Sequence, residues 1–133
     1  MKLLSLGDNV FDAYLFRKEL YPGGNAANVS VLARRAGAEA TGYLGVAADD
    51  PAGCHFRSAL EAEQVDLSRL RVGAGRTACN FITLDENGDR TFSGNNGRET
   101  VQNLFALQLT PADFQYAAGF DVIHTSIHSG TAC

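Results

Sequence analysis

The stretch YPGGNAANVSVLARRAG, Tyr21 to Gly37, sets two adjacent glycines and two asparagines directly at the start of a helical pattern. Val29, Leu32, Ala33 and Ala36 recur at helical spacing, and Gly37 is placed to end the helix in the left-handed conformation. A helix is therefore expected over Asn25–Ala36, with Tyr21-Pro22-Gly23-Gly24 as the turn that leads into it. Paired glycines have two physical uses at such a point. They adopt backbone conformations closed to other residues, and they let another group approach the main chain closely. The first turn of a helix also carries N–H donors without intrahelical partners and the positive end of the dipole, both of which favour electron-rich groups. Asparagine offers a donor and an acceptor on one short stem, which suits a hydroxyl that needs both. A tight turn and a polyol-binding site are both compatible with these residues. A phosphate loop is not, because no Lys-Ser or Lys-Thr follows the glycines, and no GxGxxG dinucleotide fingerprint occurs.

Working outward from the helix, Lys2–Leu6 is a short apolar run ending at Gly7, as a buried parallel strand would be. Val10, Asp12, Tyr14 and Phe16 then alternate with Phe11, Ala13 and Leu15, an extended segment with one wet side. Thr41–Ala47 reads as a strand, and Asp49-Asp50-Pro51 as a cap with proline at the first position of a helix running to about Glu63. Strand, helix, strand, helix is the rhythm of a parallel sheet with right-handed crossovers. Thr77–Leu84 and Arg90–Ser93, separated by a polar loop containing Asn87-Gly88, break that rhythm with a hairpin. Two helical candidates, near Thr100–Leu107 and Pro111–Ala118, lead to a strand over Phe120–Ile127, which would ordinarily be followed by another crossover. A hairpin inserted in a parallel α/β domain, together with the extended piece after Gly7, implies a small sheet projecting from the main one.

Composition narrows the function. The chain has 133 residues, about one domain's worth, with 45% hydrophobic and 20% charged residues, ordinary for a soluble globular protein. The net charge of -4, with both signs mixed along the chain, offers no basic stripe to nucleic acid or to an anionic membrane. No apolar run is long enough to span a bilayer, and Gly7, Asp8 and Asn9 interrupt the start too early for a signal peptide, so a cytoplasmic location is expected. Three cysteines without a CxxC pair argue against a zinc site and against a disulfide scaffold. Asp49 and Asp50 are explained by capping rather than by a metal. His124 and His128 share one strand face and are read as ordinary polar side chains, His55 as exposed, and Tyr14, Phe16, Phe81, Phe92 and Phe105 as core and lid packing.

GDNVFDAY (7–14), YPGGNAANVSVLARRAG and GVAADDPAG (45–53), in that order and spacing, resemble the N-terminal half of the ribokinase-like carbohydrate kinases. The resemblance implies an α/β fold: a parallel-sheet core with helices on both faces and a small β lid, its strands near 11–20 and 77–93. Residues 1–133 would form the N-terminal part of that domain, without the ATP-binding C-terminal half. The implied activity is ATP-dependent phosphorylation of a hydroxyl on a sugar or on a sugar-amine adduct such as fructoselysine. Asp12 matches the aspartate that holds sugar hydroxyls, Gly23 and Gly24 the glycines that touch the sugar through backbone, and Asn28 the asparagine closing the motif. Asn25 stands where ribokinase has lysine, and Val10 where it has a further asparagine; both departures argue against ribose. His128 aligns with a substrate-touching glutamate and joins the candidate contacts.

The family's catalytic aspartate lies in a GAGD motif of the C-terminal half, with most contacts to ATP and Mg2+. No GAGD occurs here, and Arg76 in Gly73-Ala74-Gly75-Arg76 cannot serve as a base because a guanidinium stays protonated. No catalytic residue and no metal ligand is therefore expected in this chain, which would be inactive alone. A homodimer through the lid is implied as well. The segment Gly94–Arg98 reads equally as a polar return loop or as a source of amides for the substrate. A non-catalytic binding or assembly fragment and a nucleoside kinase of the same family remain as alternatives.

Overall fold

The computed structural model describes residues 1–126; Ile127 and His128 lie outside the described residues. In chain order the elements are β1 (Lys2–Leu6), β2 (Val10–Tyr14), β3 (Glu19–Gly23), α1 (Asn25–Arg35), β4 (Ala40–Leu44), β5 (Val46–Ala48), α2 (Pro51–Ala62), β6 (Val65–Asp66), β7 (Arg71–Gly73), β8 (Cys79–Leu84), β9 (Arg90–Asn95), α3 (Val101–Leu104), α4 (Pro111–Ala117) and β10 (Val122–Thr125). The main sheet is parallel in the order β10-β1-β4-β6, and a second sheet, β3-β2-β8-β9, is the expected annex. Within the annex two antiparallel hairpins are joined by a parallel pairing of β2 with β8. β5 and β7 form a small parallel pair between them in sequence.

The main sheet is covered on both faces because alternate residues of β1 and β4 are apolar on both sides. Tyr43 packs with Phe11, Phe56, Leu60, Val65 and the small residues Ala26 and Ala27 of α1. Leu4, Leu6 and Leu44 face the other way, against Tyr116 and Ala117 of α4 and against Phe120. Each such large side chain, fully buried, contributes roughly 1.5–3 kcal/mol.

Several sequence expectations need correction. Tyr21–Gly23 is not a turn but the end of β3; the reversal lies at Leu15–Lys18, where Lys18 has φ 53°. The buried face of α1 is Ala26, Ala27 and Ser30 rather than Val29, Leu32, Ala33 and Ala36, and Leu32 is 61% exposed. Large aromatic side chains on the facing β2, β4 and α2 fill the space, so only small residues fit on the helix side. Thr41–Ala47 is split at Gly45 between two sheets. Phe16, Phe92 and Phe105 are exposed, not packed in a core. α3 and α4 are shorter than their patterns suggested, and β10 begins at Val122 rather than Phe120. The cap at Asp50 and the helix stop at Gly37 (φ 100°) are as expected.

Candidate functional site

The carboxyl ends of β1 and β10, the start of α1 and one face of the annex converge, which is where open parallel α/β sheets bind ligands. Four of the expected site residues come together there. Asp12 stands on the half-buried face of β2, and its register partner across β3 is Tyr21. Gly23 lies beside it, so close that a Cβ at Gly23 would sit 3.0 Å from Asp12 Oδ2. Gly24, with φ 99°, follows β3 and caps α1, and Asn25 opens the helix.

The structure corrects the reading of the free helix entrance. Asp8 reaches across from the β1–β2 connection and accepts hydrogen bonds from the backbone N–H of Asn25 (3.1 Å) and of Ala26 (3.3 Å). Two of the first-turn donors are thus already satisfied by a carboxylate that also suits the dipole. Gly24 is required by packing: a Cβ there would meet Asn9 Cα at 2.6 Å and the Asp8 carbonyl oxygen at 2.7 Å. Its positive φ and this contact together exclude other residues whether or not a ligand approaches.

His124, read from sequence as an ordinary polar side chain, bonds through Nε2 to Asn25 Oδ1 at 2.8 Å. Arg90, on β9, places Nη2 3.8 Å from Asp12 Oδ2 and lies over the Tyr14 ring. Asn28 sits one turn into α1, exposed, lining a surface cavity of about 440 Å³ with Tyr21, Pro22 and Arg35. His128 lies outside the described residues.

Beneath the annex a buried polar chain fixes its root. Tyr43 Oη donates to the Gly7 carbonyl (2.7 Å), and Asn9 Nδ2 donates to Tyr43 Oη and to the Val46 carbonyl (both 2.8 Å). Asn9 Oδ1 accepts from Gln102 Nε2 at 2.8 Å, and Gln102 Oε1 accepts from the Ala78 N–H at 2.9 Å, at the start of β8. Burial pushes the Tyr43 phenol well above its usual range, so it remains a donor. Asp50 adds a second tie: it caps α2 through the Gly53 N–H (2.8 Å) and accepts from the Thr77 N–H (2.8 Å) and Oγ1 (2.5 Å). Burial works against its ionised form, but these hydrogen bonds from Thr77 and Gly53 outweigh it and hold the carboxyl below its usual range.

His124 and Arg90 carried no site signal in the sequence, and Asp8 and Asn9 none beyond their place in GDNVFDAY, since each acts on a partner far along the chain. Among the described residues no three His, Cys, Asp or Glu side chains are grouped to share a metal ion. No helix there is long and apolar enough to cross a membrane.

An Asp and a glycine pair carried by a small β annex, beside the carboxyl ends of a parallel sheet, are the arrangement expected of a ribokinase-like α/β fold. Solved structures agree on that fold: a pfkB family carbohydrate kinase from Listeria grayi matches with TM-score 0.76 at 18% identity, over 94% of this chain and 41% of its own. An ATP-bound fructokinase from Xylella fastidiosa matches with TM-score 0.74 at 24% identity, over 93% and 38%. The model of the pfkB family of carbohydrate kinases matches residues 11–131, and the chain belongs to that family. Fructosamine kinase FrlD of Bacillus subtilis is 40% identical over 129 residues, 97% of this chain and 45% of that protein. Fructoselysine 6-kinase of Escherichia coli is 33% identical over 125 residues, 94% and 46%. The chain spans about half the length of these curated relatives.

Proposed function

We propose that this chain is the substrate-binding half of an ATP-dependent kinase that phosphorylates a hydroxyl of a sugar-amine adduct such as fructoselysine, the substrate for which one relative is named. The observation that carries the reading is the juxtaposition of Asp12 with Gly23 at the mouth of α1, in a family of carbohydrate kinases. Asp12 accepts from sugar hydroxyls, Gly23 leaves room for the ring beside that carboxylate, and the Asn25–His124 pair supplies amide and imidazole groups at the helix entrance; Asn28, whose cavity does not include Asp12, is a further proposed contact. His128 is a further proposed contact. A site of this kind selects its substrate because a missing hydroxyl leaves a polar group unpaired.

ATP supplies the phosphoryl group and Mg2+ offsets its charge during transfer. The chain spans about half the length of its curated relatives, and in this reading both are held by the part of such a protein that the chain does not cover. What this chain contributes is positioning and exclusion of water, the annex acting as a lid that closes over the hydroxyl before transfer. Use of ATP supports a cytoplasmic location. The lid also exposes Leu15, Phe16, Leu20 and Phe92, which supports a homodimer formed through it.

The test is made in the full-length protein that carries this chain, with fructoselysine and ATP. Asp12→Ala is expected to lower kcat/KM by roughly 5- to 150-fold, the loss of one buried hydrogen-bonded group, with an unchanged thermal transition. Kinetics within twofold of the parent protein would remove Asp12 from the site.

A further inference from the structure

Beside the Asp12 face lies a second cavity that the sugar reading does not use. It has a volume of about 320 Å³ and is lined by Asn80, Asn95, Asn96, Arg98 and Asn103 together with backbone of the β8 start. Asn80 is the register partner of Asp12 on one side and of Asn95 on the other. Partners in register point to the same side of a sheet, so Asp12, Asn80 and Asn95 stand in one row across three strands. Strands lie about 4.8 Å apart, which puts Asn95 roughly 10 Å from Asp12.

The cavity is held in place by its own amides. Asn96 accepts from the Cys79 N–H (2.9 Å) and donates to the Thr77 carbonyl (2.8 Å), while Arg76 donates to the Asn96 carbonyl (2.9 Å). Within Gly94–Arg98, Asn96 thus serves the loop itself. Asn95 does too, its Oδ1 accepting from the Gly97 N–H at 2.9 Å, which leaves Asn80, Asn103 and Arg98. The Asn80 amide has no hydrogen-bond partner among the described residues, and Asn103 uses only its nitrogen, on Thr100 Oγ1 at 3.1 Å. Of the described lining residues Arg98 alone is charged, and its guanidinium is exposed. Burial, the largest cause, raises the Cys79 thiol, keeping it neutral beside this cation.

We propose that this cavity is a tail subsite, resting on the reading of Asp12 above: with the sugar at Asp12, the amine-linked tail crosses Asn80 and its carboxylate is held by Arg98. The planar guanidinium matches a carboxylate in two parallel hydrogen bonds, and the carbonyl oxygens of Asn80 and Asn103 accept from the ammonium of an amino-acid head. The substrate class is therefore a sugar joined through an amine to an amino acid that keeps its carboxylate free.

The experiment compares kcat/KM of the full-length protein for fructoselysine with that for the fructose adduct of 1,5-diaminopentane, which has the same reach and the same ammonium but no carboxylate. Arg98→Gln is expected to lower the ratio of the two about 10- to 100-fold, and Arg98→Lys to lower it less, since a point charge replaces only part of the fork. A ratio unchanged in Arg98→Gln overturns the subsite. Fructose 1-phosphate, used with the same dependence on Arg98 and better than fructoselysine, overturns the carboxylate assignment in favour of a phosphate. Failure of the unsubstituted protein to phosphorylate any of the three overturns instead the sugar reading of Asp12, a separate result.

Discussion

At the scale of single residues, the glycine pair divides its duties. Gly24 has a left-handed backbone pressed against Asn9 and Asp8, while Gly23 faces the Asp12 carboxylate. Gly24→Ala is expected to cost about 2–4 kcal/mol, from the positive φ and from overpacking against backbone. Urea unfolding measures this directly, and a change under 0.5 kcal/mol would show that the chain relaxes around the new methyl. The pair was legible in the sequence as a place where only glycine serves. Its division was not, because Asp8 and Asn9 lie more than a dozen residues upstream of Gly24, and nothing in the local pattern brings them there.

At the scale of elements, α4 shows how a short helix is fastened. Thr110 and Asp113 form a reciprocal capping box, and the buried Asp113 carboxylate receives Arg69 Nε at 2.9 Å and the Arg71 guanidinium. Hydrogen bonds from Arg71 are the largest cause holding Asp113 far below the usual carboxylate range, against the opposing effect of burial. A native value below the unfolded one means that stability from this group is complete above about pH 4 and is lost as pH falls through the native value. The unfolding free energy of the unsubstituted protein minus that of Asp113→Asn is expected to be about 1–2 kcal/mol at pH 7 and to shrink steadily below pH 4. A difference independent of pH would assign the effect to packing. The strand β3 was the element least legible in sequence. Pro22, Gly23 and Gly24 carry turn chemistry, and pairing with β2 overrides it because proline and glycine are tolerated at the edge of a sheet.

At the scale of the whole molecule, the annex is the part with unfinished surface. Phe92 is 70% exposed, Phe16 50% and Leu20 44%, all on annex strands or their connection. If the lid dimerises as proposed, Leu20→Asp combined with Phe92→Asp yields a monomer in sedimentation equilibrium, with the far-ultraviolet circular dichroism unchanged. A dimer that survives both charges would move the interface elsewhere. Substrate affinity is expected to fall in the monomer, because a lid without its partner orders itself only on binding.

What the amino-acid order determined by itself was local. Periods of 2 and 3.6, the Asp50-Pro51 helix start, the Gly37 stop and the Asn87-Gly88 hairpin each depend on residues a few positions apart. They were sufficient for the parallel α/β class and its projecting sheet. Tertiary structure alone decided which face of α1 is buried and which carboxylate caps that helix, 17 residues away. It also brought His124 to Asn25 across 99 residues of chain. The physical reason is that such contacts are selected by how whole elements pack, a condition satisfied by volume and hydrogen-bond complementarity in space and leaving no period in the sequence.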